Sequence, residues 1–254
     1  TLYFMHNHSR YDNRSIEEIR QEIGLAMGEQ MRARFQNVDD VVVAAIPNSA
    51  IPGAIGFSKA TNIEQVEALT RQRPADETRS FIDENPEKIV TKKFTINADQ
   101  VHGKKIILYD DTMIRGTTAR ILVGKIREAG ATEVHFVLGA PPVIGTCNYG
   151  IKIAGMGELL TYQAAQDLVE SGQSFETVDP EKLPQDVLTE MATRIGADSV
   201  NFLTQERLLS VFDATPNRHS FCMSCFTGNY HTPEGQALYD TSRQAMIHRM
   251  TMNP

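Results

Sequence analysis

Long apolar runs are missing from this 254-residue sequence. None approaches the roughly 20 apolar residues that a membrane helix needs, so no membrane association is expected. An excess of positive charge is missing too: 25 Lys and Arg stand against 32 Asp and Glu, a formal charge of −7. Sequence-independent nucleic-acid binding relies on clustered Lys and Arg, so nucleic acid is not an expected partner, although local basic patches can still hold a small phosphorylated ligand. Cysteine is sparse and odd in number, at positions 147, 222 and 225, which rules out complete disulfide pairing. The Cys222-x-x-Cys225 spacing suits a metal or redox role in a reducing compartment, and a cytoplasmic location is expected. No charged-then-apolar signal peptide is visible, and the chain begins at Thr1-Leu2-Tyr3-Phe4 without an initiator Met, as a processed or trimmed N-terminus would. Internal repeats and low-complexity segments are absent. What is present, 41% hydrophobic and 22% charged residues, is the composition of a soluble globular protein. The length allows one large domain or one domain with a substantial appendage, and the second is expected.

The chain predicts alternating strands and helices. Leu2 to Met5 reads as a short strand followed by a polar loop. Ser15 and Glu18 form a capping box, after which Ile16, Ile19, Ile23, Met27, Met31 and Phe35 mark one face of a helix. Val41 to Ile46 is a buried strand ending in Pro47-Asn48-Ser49-Ala50, and Pro52 sits where a helix can begin. Ile63 to Leu69 reads as a strand that delivers Arg71 and Arg73 to its carboxyl end. From Pro74 to Asn97 periodicity is weak, and a loop or hairpin of that length is more often functional than accidental. A strand over 106–109, a helix from Thr117 to about Ala129 closed by Gly130, and a strand over Glu133–Leu138 follow. The alternation from 41 to 138 implies right-handed βαβ units and a parallel sheet, an α/β core. After Gly157 the sequence predicts helices near 158–171 and 184–195, a strand at 199–203 and a short helix at 204–212, with the cysteine pair in the tail from Thr215.

The most informative stretch is Ile106-Ile107-Leu108-Tyr109-Asp110-Asp111-Thr112-Met113-Ile114-Arg115-Gly116-Thr117-Thr118. An apolar strand delivers two adjacent acids to its carboxyl end, where α/β sheets place ligands. The turn that follows offers backbone N–H groups, hydroxyls and a helix N-terminus, a combination suited to phosphate. Paired carboxylates suit ribose hydroxyls or a divalent cation. A sugar diol beside a phosphate describes a phosphoribosyl group.

This stretch resembles the phosphoribosyl pyrophosphate (PRPP) motif of the type I phosphoribosyltransferases. With the tail included, the resemblance narrows to the phosphoribosyltransferase half of glutamine PRPP amidotransferases and covers roughly residues 1–235. It is carried by Ile46-Pro47-Asn48-Ser49, where the family usually has Asp at Asn48, by Lys92-Lys93-Phe94 through Asn97, and by Ala140-Pro141-Pro142 with Tyr149-Gly150-Ile151. Ala197-Asp198-Ser199 to Leu203 and Cys222-Met223-Ser224-Cys225-Phe226-Thr227-Gly228-Asn229-Tyr230 carry it further. The fold implied is a central parallel sheet flanked by helices, with a flexible-loop hood. Residues 1–157 are the expected core, with an N-terminal strand and helix, and 158–254 an extension packed on it that carries the CxxC unit.

The resemblance also implies a chemistry, in which the phosphoribosyl group of PRPP passes to ammonia or a related small amine and pyrophosphate is released. Asp110 and Asp111 would contact the ribose hydroxyls and Mg²⁺. Thr112, Arg115, Gly116, Thr117 and Thr118 would hold the 5′-phosphate, and Asn48 and Ser49 the pyrophosphate. Arg71, Arg73, Arg79, Lys92 and Lys93 are expected to reach the pyrophosphate when the 70–97 loop closes, with Arg73 and Lys93 counted beside the two acids as catalytic. That loop departs from the family pattern, because Pro74-Ala75-Asp76-Glu77 replaces a Tyr-Val-Gly core, and a different acceptor or a non-catalytic PRPP- or nucleotide-binding regulatory subunit are the alternatives. Nothing in the sequence matches the family's N-terminal glutaminase, so glutamine hydrolysis is expected to be absent or supplied by a separate chain. A homo-oligomer is expected. Some family members hold a [4Fe–4S] cluster with cysteines corresponding to Cys147, Cys222 and Cys225, and the fourth falls at about Thr1. A cluster with another fourth ligand, a Zn²⁺ site completed by His6, His8, His219 or His231, and three metal-free cysteines all remain open.

Overall fold

In the computed structural model the described residues are 5–35, 39–72, 90, 92–151, 153, 155–170, 183–213 and 221–252. The expected first strand falls largely on residues 1–4, outside this set. A small antiparallel pair, β1 (Arg10–Tyr11) and β2 (Arg14–Ser15), leads into α1 (Ile16–Phe35). The capping box forms as read: Ser15 N–H donates to Glu18 Oε2 at 2.6 Å, and Glu18 N–H donates to Ser15 Oγ at 3.1 Å. All six apolar residues of the predicted face are buried.

The core is a parallel five-stranded sheet. In chain order its strands are β3 (Val41–Ala45), β4 (Gln65–Val66), β7 (Lys105–Asp110), β8 (Glu133–Leu138) and β9 (Ser199–Phe202). Their spatial order is β4-β3-β7-β8-β9. Side chains alternate across the sheet. Val42, Ala44, Ile106, Leu108, Val134 and Phe136 face one hydrophobic cluster, whereas Val43, Ala45, Ile107, Tyr109 and Val137 face the other. Both faces are covered, and so the strands read as unbroken apolar runs. On one side lie α1 and α2 (Ile51–Thr61). On the other lie α3 (Thr117–Glu128), α4 (Leu160–Glu170) and α5 (Gln185–Ile195). A short helix, α6 (Gln205–Ser210), returns towards α1.

One expectation is corrected. The strand expected over Ile63–Leu69 is broken: β4 closes the sheet edge, and β5 (Leu69–Arg71) leaves the sheet to pair antiparallel with β6 (Phe94–Ile96). Asn97 N–H donates to the Ala68 carbonyl at 2.9 Å, which pulls the chain out of the sheet at that point. The expected 74–97 segment therefore returns through a hairpin strand, although residues 73–89 and 91 are outside the described set. The tail also holds α7 (Ser224–Thr227) and a 20-residue helix, α8 (Pro233–Met252), that the sequence pattern did not announce. Its buried side is thin, resting on Tyr239, Met246 and Met250. The segment after 157 also supplies β9, a strand of the core sheet.

The closest backbone approach is between α1 and α2. A Cβ on Gly24 would lie 1.8 Å from the Gly53 carbonyl oxygen, and one on Gly56 2.0 Å from the Gln21 carbonyl oxygen. Overpacking of that kind costs about 1–3 kcal/mol. Gly24→Ala is therefore expected to lower the thermal midpoint clearly. Gly124→Ala, at an exposed position of α3 where a methyl group meets nothing within 4 Å, is expected to raise stability by about 0.5–1 kcal/mol. Thermal melts of the two variants beside the parent check both signs.

Candidate functional site

The strand order sets the site. From β3 the chain first builds β4 on one side and later β7 on the other, so the direction of sheet growth reverses between β3 and β7. The loops at the carboxyl ends of these two strands diverge and leave a crevice, the usual place for a ligand in an open α/β sheet. After β3 comes Pro47-Asn48-Ser49-Ala50, whose Pro47–Asn48 peptide is cis. After β7 come Asp111 and the turn into α3.

The acidic pair is strongly perturbed. Asp110 is half-buried and accepts a 2.8 Å hydrogen bond from the Asp111 N–H. Burial, and secondly the neighbouring Asp111 charge, raise its carboxyl to about 8. Burial also raises Asp111, opposed by a hydrogen bond from the Ser49 hydroxyl and by the charge of Arg20. The Arg20 Nε lies 3.9 Å from Asp111 Oδ2. Two close carboxyls in such surroundings are suited to a cation or to hydroxyl donors. Their hard oxygens fit Mg²⁺, which binds through few protein carboxylates plus substrate oxygens.

Beside them, a cavity of about 470 Å³ is lined by Ile46, Pro47, Asn48, Ser49, Arg71, Val90, Lys93, Phe94 and Thr118. The hairpin delivers its two cations together. Arg71 pairs with Phe94 in the β5–β6 register, and Gln72 N–H donates to the Lys93 carbonyl at 2.9 Å. Burial lowers the Lys93 ammonium, and the Arg71 charge lowers it further. Opposite, Gly116 is the N-cap of α3 at φ 72°, with no side-chain cap on the first turn. Uncapped N–H groups at a helix start are of the kind that suits a phosphate.

Of the residues singled out from the sequence, Asn48, Ser49, Arg71, Lys93 and Thr118 line one cavity; Asp111 joins it through Ser49, with Asp110 beside it. Thr112, Gly116 and Thr117 lie along the same turn. Arg115 differs, because its Nε donates to Glu158 Oε1 at 2.9 Å and its guanidinium is occupied on the surface. Lys92 is exposed beside the hairpin strand and does not line the cavity. Arg73 and Arg79 lie outside the described residues. The sequence reading passed over Arg20, a charge on the apolar stripe of α1, and the apolar wall of Val90 and Phe94.

The cysteines lie together and do not line this cavity. Cys225 in α7 accepts hydrogen bonds at its carbonyl from Ile144 and Gly145 N–H, at 2.8 and 3.0 Å, which brings the loop bearing Cys147 alongside. Burial, then the proximity of Cys222 and Cys147, pushes the Cys225 thiol up to about 12. All three are free thiols. Among the described residues no group of three or more His, Cys, Asp or Glu side chains is arranged to hold a metal ion, so neither the expected [4Fe–4S] cluster nor Zn²⁺ finds support there. His6 and His8 are exposed, His231 stacks on Tyr149 at 5.8 Å, and His219 lies outside the described residues. Among the described residues no helix is long and apolar enough to cross a membrane.

No protein-family model matches the chain. Individual proteins do. It is 30% identical over 232 residues to an amidophosphoribosyltransferase of Methanocaldococcus jannaschii, and 33% identical over 235 residues to that of Methanothermobacter thermautotrophicus. Each match covers 91% of this chain and 43% of the relative, so the chain spans less than half the length of these relatives. The solved structure of glutamine PRPP amidotransferase from Bacillus subtilis, complexed with ADP and GMP, matches with a TM-score of 0.68 and 30% identity over 91% of this chain and 46% of that one. The chain is homologous to the phosphoribosyltransferase half of the amidophosphoribosyltransferases. Its fold is accordingly the type I phosphoribosyltransferase fold that the sequence implied, and the amidophosphoribosyltransferase likeness runs through both the sheet and the tail.

The raised Asp110 carboxyl has a definite sign in stability. The native state keeps this proton where the unfolded chain has released it, so the stabilisation is complete below about pH 4 and is lost as pH rises towards about 8. Asp110→Asn is expected to stabilise the ligand-free protein at pH 8.5 by about 1 kcal/mol or more and to change little at about pH 3.5. Urea unfolding of both proteins at the two pH values measures the difference.

Proposed function

We propose that this chain binds PRPP with Mg²⁺ and transfers its phosphoribosyl group to ammonia or a related small amine. The observation that carries this reading is the meeting, at one switch point, of an acidic pair, an uncapped helix N-terminus and a cavity lined by Asn48, Ser49, Arg71 and Lys93. Asp110 and Asp111 would hold the ribose hydroxyls and Mg²⁺, and the first turn of α3 would receive the 5′-phosphate. Asn48, Ser49, Arg71 and Lys93 receive the pyrophosphate. Arg73 and Arg79 are added to this set from the sequence resemblance alone. When bound, Mg²⁺ neutralises charge that develops on the leaving group.

In the transfer, the bond from the anomeric carbon to the pyrophosphate oxygen breaks and the electron pair leaves with pyrophosphate. The amine lone pair forms the new C–N bond, and the resulting ammonium gives its extra proton to solvent. The transition state has oxocarbenium character, so fixed charges around the leaving group matter more than a strong base. The amidophosphoribosyltransferase relatives support the choice of an amine acceptor. In this reading residues 1–157 carry the site, 158–254 are an extension that also completes the sheet with β9, and a separate glutaminase chain is one source of ammonia.

Purified chain with PRPP, Mg²⁺ and ammonium is expected to release pyrophosphate above a no-enzyme control. Asp111→Asn is expected to lower kcat/KM by about 10²-fold or more, and Lys93→Ala by a similar factor through kcat. Absence of release with ammonium, other amines and nucleobases would overturn transfer. A second reading is favoured by the ADP and GMP bound in the Bacillus subtilis relative: the chain is a nucleotide-responsive regulatory subunit. Calorimetric binding of PRPP or purine nucleotide without turnover would select it.

A further inference from the structure

Arg20 is the one charged residue among the buried polar and charged side chains of the described residues, with 4% of its surface exposed. It sits on α1 between Ile16, Ile19 and Ile23, all buried, so the helix places a guanidinium where its pattern calls for an apolar side chain. Holding a charge there costs several kcal/mol unless it is matched, and well-packed apolar residues often serve stability as well as a buried ion pair. Stability alone therefore gives no reason for an arginine.

Its surroundings give one. A terminal nitrogen donates to the Asn7 side-chain carbonyl, and Asn7 belongs to the loop whose main chain caps α1 through Glu17 N–H. Nε lies 3.9 Å from Asp111 Oδ2, an ion-pair contact longer than a hydrogen bond, and Asp111 in turn accepts from the Ser49 hydroxyl. One guanidinium thus spans the N-terminal loop and the end of β7, and through Asp111 it reaches the turn after β3. The planar fork of arginine can serve two acceptors in fixed directions, which a lysine ammonium on a flexible stem does not.

We propose that Arg20 is a positioning residue for the acidic pair: fixed by Asn7, it holds the Asp111 carboxyl against Ser49 and keeps the strand end and the pyrophosphate-side turn in register. The inference rests on the PRPP reading of the crevice. Arg20 touches no substrate in this account and acts through Asp111.

The test is PRPP binding by calorimetry with Mg²⁺, together with KM and kcat for pyrophosphate release, on the folded chain well below each variant's melting temperature. Arg20→Met is expected to weaken PRPP binding about tenfold or more, and Arg20→Lys about fivefold, with KM following the affinity and kcat changing less. In a Ser49→Ala background the effect of Arg20→Lys is expected to shrink to within about twofold, because the Asp111–Ser49 contact that Arg20 helps to hold is gone. Should Arg20→Met fail to fold, the Lys and Ala cycle decides alone. Affinity within about twofold of the parent in the folded Arg20 variants, or losses that simply add in the Ser49→Ala cycle, would overturn the positioning role while leaving PRPP binding intact. A parent chain that binds no PRPP would instead overturn the proposed function, and this role with it.

Discussion

Everything in the crevice depends on how far β3 and β7 stay paired before they part. Their parallel register runs from Val41 opposite Lys105 to Ala45 opposite Tyr109, and one further hydrogen bond, from Ile46 N–H to the Tyr109 carbonyl at 3.0 Å, extends it past the end of β3. Only then does each chain turn. The Pro47–Ala50 turn and the Asp110–Asp111 pair are therefore held about one strand spacing apart, roughly 5 Å, which is the reach of a Ser hydroxyl to a neighbouring carboxylate. Had pairing stopped two residues earlier, Ser49 and Asp111 could not share a hydrogen bond.

Tyr109 fixes the end of β7 from below. It is 1% exposed, and a Cβ on Gly53 or Gly139 would fall 2.4 and 2.5 Å from its ring carbon and hydroxyl. Two glycines from different segments therefore exist in contact with one aromatic ring, and the residue just before the acidic pair has no room to rotate. The same crowding explains the closeness of α1 and α2, because Gly53 also receives Gly24. Bringing α1 this near to the sheet lets Arg20 reach Asp111. Packing of small residues behind the crevice thus sets the geometry of the charges within it.

Much of this was legible in the sequence. Buried parallel strands leave unbroken apolar runs, so β3, β7 and β8 could be placed within a residue or so, and the Ser15–Glu18 pair marked the start of α1 through a hydrogen-bonding pattern that is local. Asp110, Asp111 and the α3 turn were readable because all their parts are contiguous. What was not legible depends on partners distant in the chain. The break between β4 and β5 is imposed by Asn97, and α8 buries so few apolar side chains that its helical period is faint. Arg20 looked like an ordinary charge on a helix, and only the position of Asp111, 91 residues later, makes it different.

The cysteine-bearing tail has a structural reason that needs no metal. Both Ile144 and Gly145 donate their N–H groups to the Cys225 carbonyl, and the Tyr230 hydroxyl donates to the carbonyl of Thr146. The segment that leaves β8 is thus tied through its backbone at three consecutive residues, two to α7 and one to the Tyr230 side chain beyond it. A chain leaving a parallel strand must satisfy its polar groups before it can run over the protein as an ordered loop. Here the tail supplies the partners, and Phe226 and Tyr230 bury apolar surface alongside. Clustering of Cys147, Cys222 and Cys225 then follows from backbone pairing between two segments, with the thiols brought close as a consequence of that pairing.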